Sequence, residues 1–160
     1  MEESDLEQVL SWRNHPEIRR NMFTQNEITS EEHALWFSHA KKDQQRHLLI
    51  FTVDDRPRGF INMFEISCGR IGQWGFYVEP DSPRGTGSAL GESTLQYAFK
   101  ELELHKICSQ ALGYNDRSIQ FHLKLGFQCE GILRQQHFDG QNYEDVVNFG
   151  LLASEWHQKD

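Results

Sequence analysis

The chain has 160 residues, a length that fits one domain with a core of ordinary size, and its 38% apolar and 12% aromatic content reads as a soluble globular protein. A formal charge of −8 excludes general nucleic-acid binding, which needs a basic footprint, and gives no help in docking on an anionic membrane. A nucleotide ligand must therefore be met by a local cluster of donors. Three cysteines, Cys68, Cys108 and Cys129, show no Cys-x-x-Cys spacing and read as reduced thiols of a cytoplasmic protein, and no metal site is expected. The acidic start Met1-Glu2-Glu3-Ser4-Asp5 is no signal peptide, and no apolar run reaches the length of a membrane span.

Ser4-x-x-Glu7 reads as a capping box opening a helix with Leu6, Val9 and Leu10 on one stripe, running to about Arg13. Asn14-His15-Pro16 interrupts it, because the residue before a proline avoids the α region, and a short helical piece follows from Pro16 to Met22. Thr29-x-x-Glu32 is a second capping box, for a helix with Leu35, Trp36, Phe37 and Ala40 on or near one face. His47–Val53, Gly59–Ile66 and Trp74–Glu79 predict a three-stranded antiparallel meander with a turn at Asp54-Asp55-Arg56-Pro57. Ser88–Leu102 predicts a helix, Lys106–Leu112 a strand parallel to the Trp74 strand, and Asp116–Leu125 a further helix closed by Gly126. Phe127–Phe138 and Tyr143–Leu152 predict a long hairpin across Asp139-Gly140, and Ser154–Gln158 a short helical tail. The expected class is α/β (α+β): one domain over residues 1–160, with helices flanking a mixed, mostly antiparallel sheet.

Arg84-Gly85-Thr86-Gly87-Ser88-Ala89 lies between a strand and a helix. A glycine-rich turn there leaves N–H groups pointing outward with the helix dipole behind them, which suits a phosphate or pyrophosphate. The dinucleotide fingerprint G-x-G-x-x-G fails because Leu90 stands at its third glycine, and no Gly-Lys-Ser/Thr follows to make a P-loop. About thirty residues on, Asn115-x-x-Ser118-x-x-Phe121-x-x-Lys124-Leu125-Gly126-Phe127 opens the next helix, where Asn115 and Gly126 are also the residues that cap helices.

Together the two motifs resemble the GNAT superfamily of acyl-CoA N-acyltransferases. The resemblance implies that the family's fourth and fifth strands splay, with the pantetheine of acetyl-CoA between them and its amides paired to the backbone near Val78. It implies a cofactor site at Val78, Arg84, Gly85, Thr86, Gly87, Ser88 and Ala89, with the amides of Gly85, Gly87 and Ser88 on the pyrophosphate, and Asn115 and Ser118 on the far side. The family's usual first strand is missing ahead of the first helix, so that strand is absent, very short, or lost to a late start.

Trp12-Arg13-Asn14-His15-Pro16, Met22-Phe23, Ile28 and Glu31-Glu32-His33-x-x-Trp36-Phe37 are similar to the acceptor-side helices of the pseudaminic acid biosynthesis subfamily. That subfamily acetylates the 4-amino group of UDP-4-amino-4,6-dideoxy-N-acetyl-β-L-altrosamine, a precursor for flagellin glycosylation. By resemblance Arg13 and His33 grip the nucleotide and Met22, Phe23, Trp36 and Phe37 wall it; Tyr77, next to Val78, is a candidate to face the sugar. The same residues admit a structural reading, with Trp36 and Phe37 as helix core, Arg13 paired to Glu17, and His15 as a turn residue. The expected partner is a small-molecule UDP-amino sugar, with no nucleic acid or membrane and with a homodimer as one option.

Transfer needs a neutral amine, an oxyanion donor and a proton for the leaving thiolate. The Val78 N–H is the candidate oxyanion donor, and attack is expected to be direct in a ternary complex. Many family members have Tyr where this chain has His122, which becomes the candidate acid; Tyr114 and Tyr143 are other donors. Asn62 and Gln110 are candidates to hold a water that takes the amine proton. Two rival readings stand beside this one. The tail Gly150-Leu151-Leu152 with Glu155-Trp156 is shared with ribosomal-protein acetyltransferases, which take N-terminal or small amines; the missing Tyr fits a catalytically silent acyl-CoA-binding module.

Overall fold

The computed structural model describes residues 1–67 and 69–156, so Cys68 and the expected tail beyond Trp156 lie outside the described residues. The elements are a short 3₁₀ turn (Glu3–Asp5), α1 (Leu6–Asn14), α2 (Pro16–Arg19), α3 (Ser30–Ala40), β1 (Arg46–Val53), β2 (Arg56–Ser67), β3 (Ile71–Val78), α4 (Thr86–Gln96), β4 (Lys106–Leu112), α5 (Asp116–Lys124), β5 (Gln128–Phe138) and β6 (Tyr143–Leu152). The six strands follow the order β1-β2-β3-β4-β6-β5. The β1/β2, β4/β6 and β5/β6 pairs are antiparallel and the β3/β4 pair is parallel, which is the mixed, mostly antiparallel sheet read from the sequence. The parallel ladder joins Ile71–Gln73 to Lys106–Cys108 and ends there, although β3 runs on to Val78 and β4 to Leu112. No strand precedes α1 among the described residues.

The chain clusters into two compact units, Met1–Phe64 with Gly75–Leu90, and Glu65–Trp74 with Gly91–Asp160. In the first, Val9, Trp12, Phe60 and Tyr77 form a buried cluster, and Ile18, Met22, Trp36, Leu48 and Ile50 pack against it. Burying a large apolar side chain is worth roughly 1.5–3 kcal/mol, so this cluster fixes α1 and α3 on β1 and β2. The Thr29–Glu32 capping box forms as expected: Thr29 Oγ1 accepts from the Glu32 N–H and Glu32 accepts from the Thr29 N–H. The expected Ser4–Glu7 box is replaced one turn earlier, where the Glu2 N–H donates to Asp5 Oδ2 at 2.7 Å. The β1–β2 turn is tighter than expected. Asp54 and Asp55 both take positive φ (49° and 60°), the two-residue turn that matches strand twist, so Arg56 and Pro57 already belong to β2.

In the second unit β5 and β6 form the expected hairpin. Its connection spans Asp139 to Asn142, with Asp139 Oδ1 accepting from the N–H groups of Gln141 and Asn142 at 2.7 Å each. The helix expected to reach Leu102 changes pitch after Gln96 and finishes as a π-helical turn over Tyr97–Glu101. The core of this unit is aromatic: Trp74, Phe127 and Phe149 are buried around His122.

Candidate functional site

The Arg84–Ala89 turn borders a cavity of about 650 Å³, lined by Val53, Asp54, Arg56, Arg58, Pro83, Arg84, Gly85, Thr86 and Ala89. Gly85 sits at φ +94°, a conformation that L residues avoid, and this bends the chain into the first turn of α4. The Thr86 N–H and hydroxyl both bond to the Pro83 carbonyl, at 3.2 and 2.8 Å, and the Ala89 N–H bonds to the Gly85 carbonyl at 3.0 Å. Thr86 and Ala89 thus line the cavity with their backbone N–H groups already bonded within the turn. The N–H groups of Gly85, Gly87 and Ser88 have no acceptor among the described residues, the state expected of a helix N-terminus open to an anion. Val78, in the strand just upstream, ends β3 and is half-buried.

All six expected acceptor-side residues belong to the same unit. His33 stacks on Trp36 with ring centroids 5.3 Å apart, Trp36 meets Phe60 edge-on at 6.1 Å, and Phe60 meets Tyr77 at 5.3 Å. Met22 packs on this cluster. Arg13 is 7% exposed; its Nη2 donates to the Thr24 carbonyl at 2.5 Å and its Nη1 is buried without a hydrogen-bond partner among the described residues. Burial pulls the Arg13 pKa below the usual guanidinium value, and the charges acting on it are Tyr77 and Arg19, with no carboxylate. The structural pairing of Arg13 with Glu17 is not what holds it. Burial, then the Arg13 charge, lowers the His33 pKa, so this imidazole is neutral at physiological pH. Burial raises the Tyr77 phenol well above its ordinary value, and its hydroxyl donates to the Val9 carbonyl at 3.4 Å. Phe23 is 43% exposed, and Phe37, 3% exposed, is helix core.

Asn14 was not singled out in the sequence, yet it bonds Ile28 reciprocally: its Nδ2 donates to the Ile28 carbonyl at 2.8 Å and its Oδ1 accepts from the Ile28 N–H at 2.9 Å. That pair clips the segment just ahead of α3 to the end of α1. His15 caps α2 as a turn residue, accepting weakly from the Glu17 N–H at 3.4 Å.

The second unit holds the remaining candidates. Asn115 Oδ1 accepts from the Ser118 N–H at 3.1 Å, so both residues form the cap of α5. His122 is the main correction. It is 1% exposed, stacked on Phe149 at 5.0 Å and crossed by Trp74 and Phe127. Its Nδ1 lies 2.7 Å from the Ser118 carbonyl, which fixes the ring as an Nδ1–H donor. Burial lowers its pKa to about 4, so it holds no acid proton at neutral pH. The high helical amphipathicity of α5 is what hides it: the residue expected at a reacting centre sits on the packed face.

The two water-holding candidates also have protein partners. Asn62 Oδ1 accepts from Arg46 Nη1 at 3.0 Å, and Gln110, exposed, donates through Nε2 to Asn148 Oδ1 at 2.9 Å. Each amide thus spends one polar atom on a protein partner.

A family description, "Acetyltransferase (GNAT) domain", matches residues 1–128. The chain belongs to the GNAT acetyltransferase family. GNAT enzymes use acetyl-CoA, and the chain is an N-acetyltransferase of that family. Among similar proteins is the SPbeta prophage-derived uncharacterized N-acetyltransferase YokL of Bacillus subtilis, 32% identical over 120 residues that span 72% of this chain and 66% of YokL. The acetyltransferase PseH of Campylobacter jejuni is 25% identical across 77% of this chain and 76% of its own length. The spermidine N(1)-acetyltransferase of Vibrio cholerae is 24% identical across 98% and 92%. A crystal structure of spermidine N-acetyltransferase from Vibrio cholerae in complex with CoA and spermine superposes with a TM-score of 0.89 at 22% identity, covering 97% of this chain and 94% of that one. That likeness is one of GNAT fold.

Residues that sequence reading passed over for this GNAT chain are Arg56 and Arg58, both on the cavity wall. Their signal was present only as a basic pair flanking Pro57 in a stretch read as a turn.

Proposed function

We propose that this GNAT enzyme moves acetyl from acetyl-CoA to the amino group of a nucleotide-linked amino sugar, UDP-4-amino-4,6-dideoxy-N-acetyl-β-L-altrosamine or a close analogue, in the pseudaminic acid route to flagellin glycosylation. The observation that supports this reading is Arg13, a guanidinium 7% exposed, with Nη1 unbonded among the described residues and no carboxylate acting on it. Burying an unpaired charge is costly unless a partner arrives, and a planar fork of N–H donors suits a diphosphate or a uracil carbonyl. A polyamine brings only cations, and a cation beside Arg13 is repelled. PseH and the spermidine enzyme are about equally distant in sequence, and this charge argument favours the nucleotide-linked acceptor.

The amides of Gly85, Gly87 and Ser88 take the diphosphate of the coenzyme, and the Val78 N–H is the oxyanion donor. The neutral, stacked pair of His33 and Trp36 forms the wall on which the uracil or sugar lies. The acid role passes from His122 to a solvent-reachable donor, of which Tyr114, 42% exposed beside the cap of α5, is the one adjoining the second motif. The enzyme works in the cytoplasm, where acetyl-CoA is made and used.

The test is thiol release from acetyl-CoA with three acceptors in parallel: the UDP-amino sugar, spermidine, and a peptide with a free N-terminus. Turnover is expected with the first and background with the others. Preference for spermidine or the peptide would replace the acceptor, and bound acetyl-CoA with no accepting amine would leave the silent module.

A further inference from the structure

We infer that Arg56 and Arg58 of β2, with Arg84, form a second phosphate subsite that reads the ribose 3′-phosphate of coenzyme A, so that this enzyme distinguishes CoA from dephospho-CoA. The inference rests on the placement of the coenzyme diphosphate at the Gly85–Ser88 amides.

Three guanidinium groups line one cavity of about 650 Å³ in a chain whose net charge is −8. The volume suits a nucleotide-sized ligand. The acid on the cavity wall is Asp54, and Glu79 holds Arg58, so the lining carries a surplus of positive charge. The amides of the turn are enough for a diphosphate, whose charges are spread over a bridging pair. They do not account for arginines brought from a different part of the chain. A phosphate monoester carries close to two charges on one group and is matched best by guanidinium forks. Val53, Pro83 and Ala89 add an apolar patch to the same wall, a surface for a purine ring attached to that ribose.

The fold delivers Arg56 on purpose-built backbone. Asp54 and Asp55 both adopt positive φ, which closes the hairpin in two residues and starts β2 at Arg56. Arg58 is held by the Glu79 carboxylate, which orients its side chain along the cavity rim. Arg56 and Arg84 are exposed in the absence of a ligand, so their attraction for phosphate is screened by salt.

Calorimetric titration of the whole chain with CoA, dephospho-CoA and UDP, at low and high salt, tests the assignment. CoA is expected to bind about tenfold more tightly than dephospho-CoA at low salt, with the gap narrowing as salt rises. Arg56→Ala is expected to bring the two affinities together by weakening CoA while leaving dephospho-CoA unchanged, and Arg56→Lys to give an intermediate ratio. Equal affinities in the unaltered enzyme, or a ratio that Arg56→Ala does not move, would overturn the subsite. Displacement of CoA by UDP, with a UDP affinity that Arg56→Ala weakens, would give the arginines to the acceptor and overturn it as well. Failure of CoA and dephospho-CoA alike to bind would bring down the diphosphate placement together with the inference. Tight dephospho-CoA binding without discrimination removes the inference alone.

Discussion

Glu79 and Arg58 are joined twice: the Glu79 N–H donates to the Arg58 carbonyl at 2.8 Å, and the Glu79 carboxylate accepts from the Arg58 guanidinium. The link falls one residue past Val78 and pins the end of β3 to β2. Gly59 lets the strands close there, because a Cβ at that position would stand 2.4 Å from Leu90 Cδ1 and 3.1 Å from the Tyr77 carbonyl. The N–H assigned to the oxyanion is therefore held from both sides by short contacts. Glu79→Ala is expected to cost about 1 kcal/mol or less of stability, since the pair is a quarter exposed, but to lower kcat about tenfold by loosening Val78. Gly59→Ala is expected to cost about 1–3 kcal/mol by overpacking and to lower kcat further. Thermal unfolding and steady-state kinetics read both effects; two variants with unchanged kcat would detach Val78 from the chemistry.

Arg13 sets stability against binding. Its guanidinium is buried with one nitrogen unpaired, so Arg13→Met, which keeps the stem and removes the charge, is expected to leave the fold as stable as before or more stable by about 1–2 kcal/mol. The same change is expected to raise KM for the UDP-amino sugar at least about tenfold while acetyl-CoA affinity stays put. A chemical-denaturation curve and a two-substrate kinetic series separate the outcomes. Lost stability with unchanged KM would make Arg13 a structural residue.

His122 predicts a pH signature. Burial lowers its folded pKa to about 4 from 6.5, so between those values the unfolded chain binds the proton that the folded chain refuses. The stabilisation from this depressed pKa is fully present above pH 6.5 and is lost as pH falls towards about 4, on the order of 3 kcal/mol. The lowered His33 pKa acts in the same direction. His122→Phe retains the ring stack on Phe149 and is expected to flatten this part of the Tm-against-pH curve. Its kcat at neutral pH is expected to stay within about tenfold of the unaltered enzyme, whereas loss of a general acid costs about a hundredfold or more. A loss of that larger size with an intact fold would return His122 to the mechanism.

The identity of the elements was legible because local chemistry encodes them. Thr29 and Glu32 cap α3 as read, β4 and β6 have the expected ends, and Gly85 takes the positive φ that its place before α4 requires. The R-G-x-G turn could be read as an anion site from the chain itself, because unpaired helix-start amides follow from the glycine spacing alone. The roles of single polar side chains were legible only where they act on neighbours in sequence: Asn115 caps Ser118, three residues on.

Partners far along the chain were another matter. A histidine on a helix reads the same whether its face meets water or four aromatic rings, and two of the rings around His122, Trp74 of β3 and Phe149 of β6, come from strands distant in sequence. Asn62 and Gln110 looked free until Arg46 and Asn148 were brought across from adjacent strands. Arg56 and Arg58 gained meaning only when the two-residue turn at Asp54-Asp55 set them on the cavity beside Gly85. The sequence by itself determined the glycine turn before α4, the Thr29–Glu32 cap and the ends of β4 and β6, since each depends on backbone preferences within a few residues. The tertiary structure decided which charges lie buried and which arginines share a cavity, because desolvation and charge pairing depend on groups that folding alone brings together.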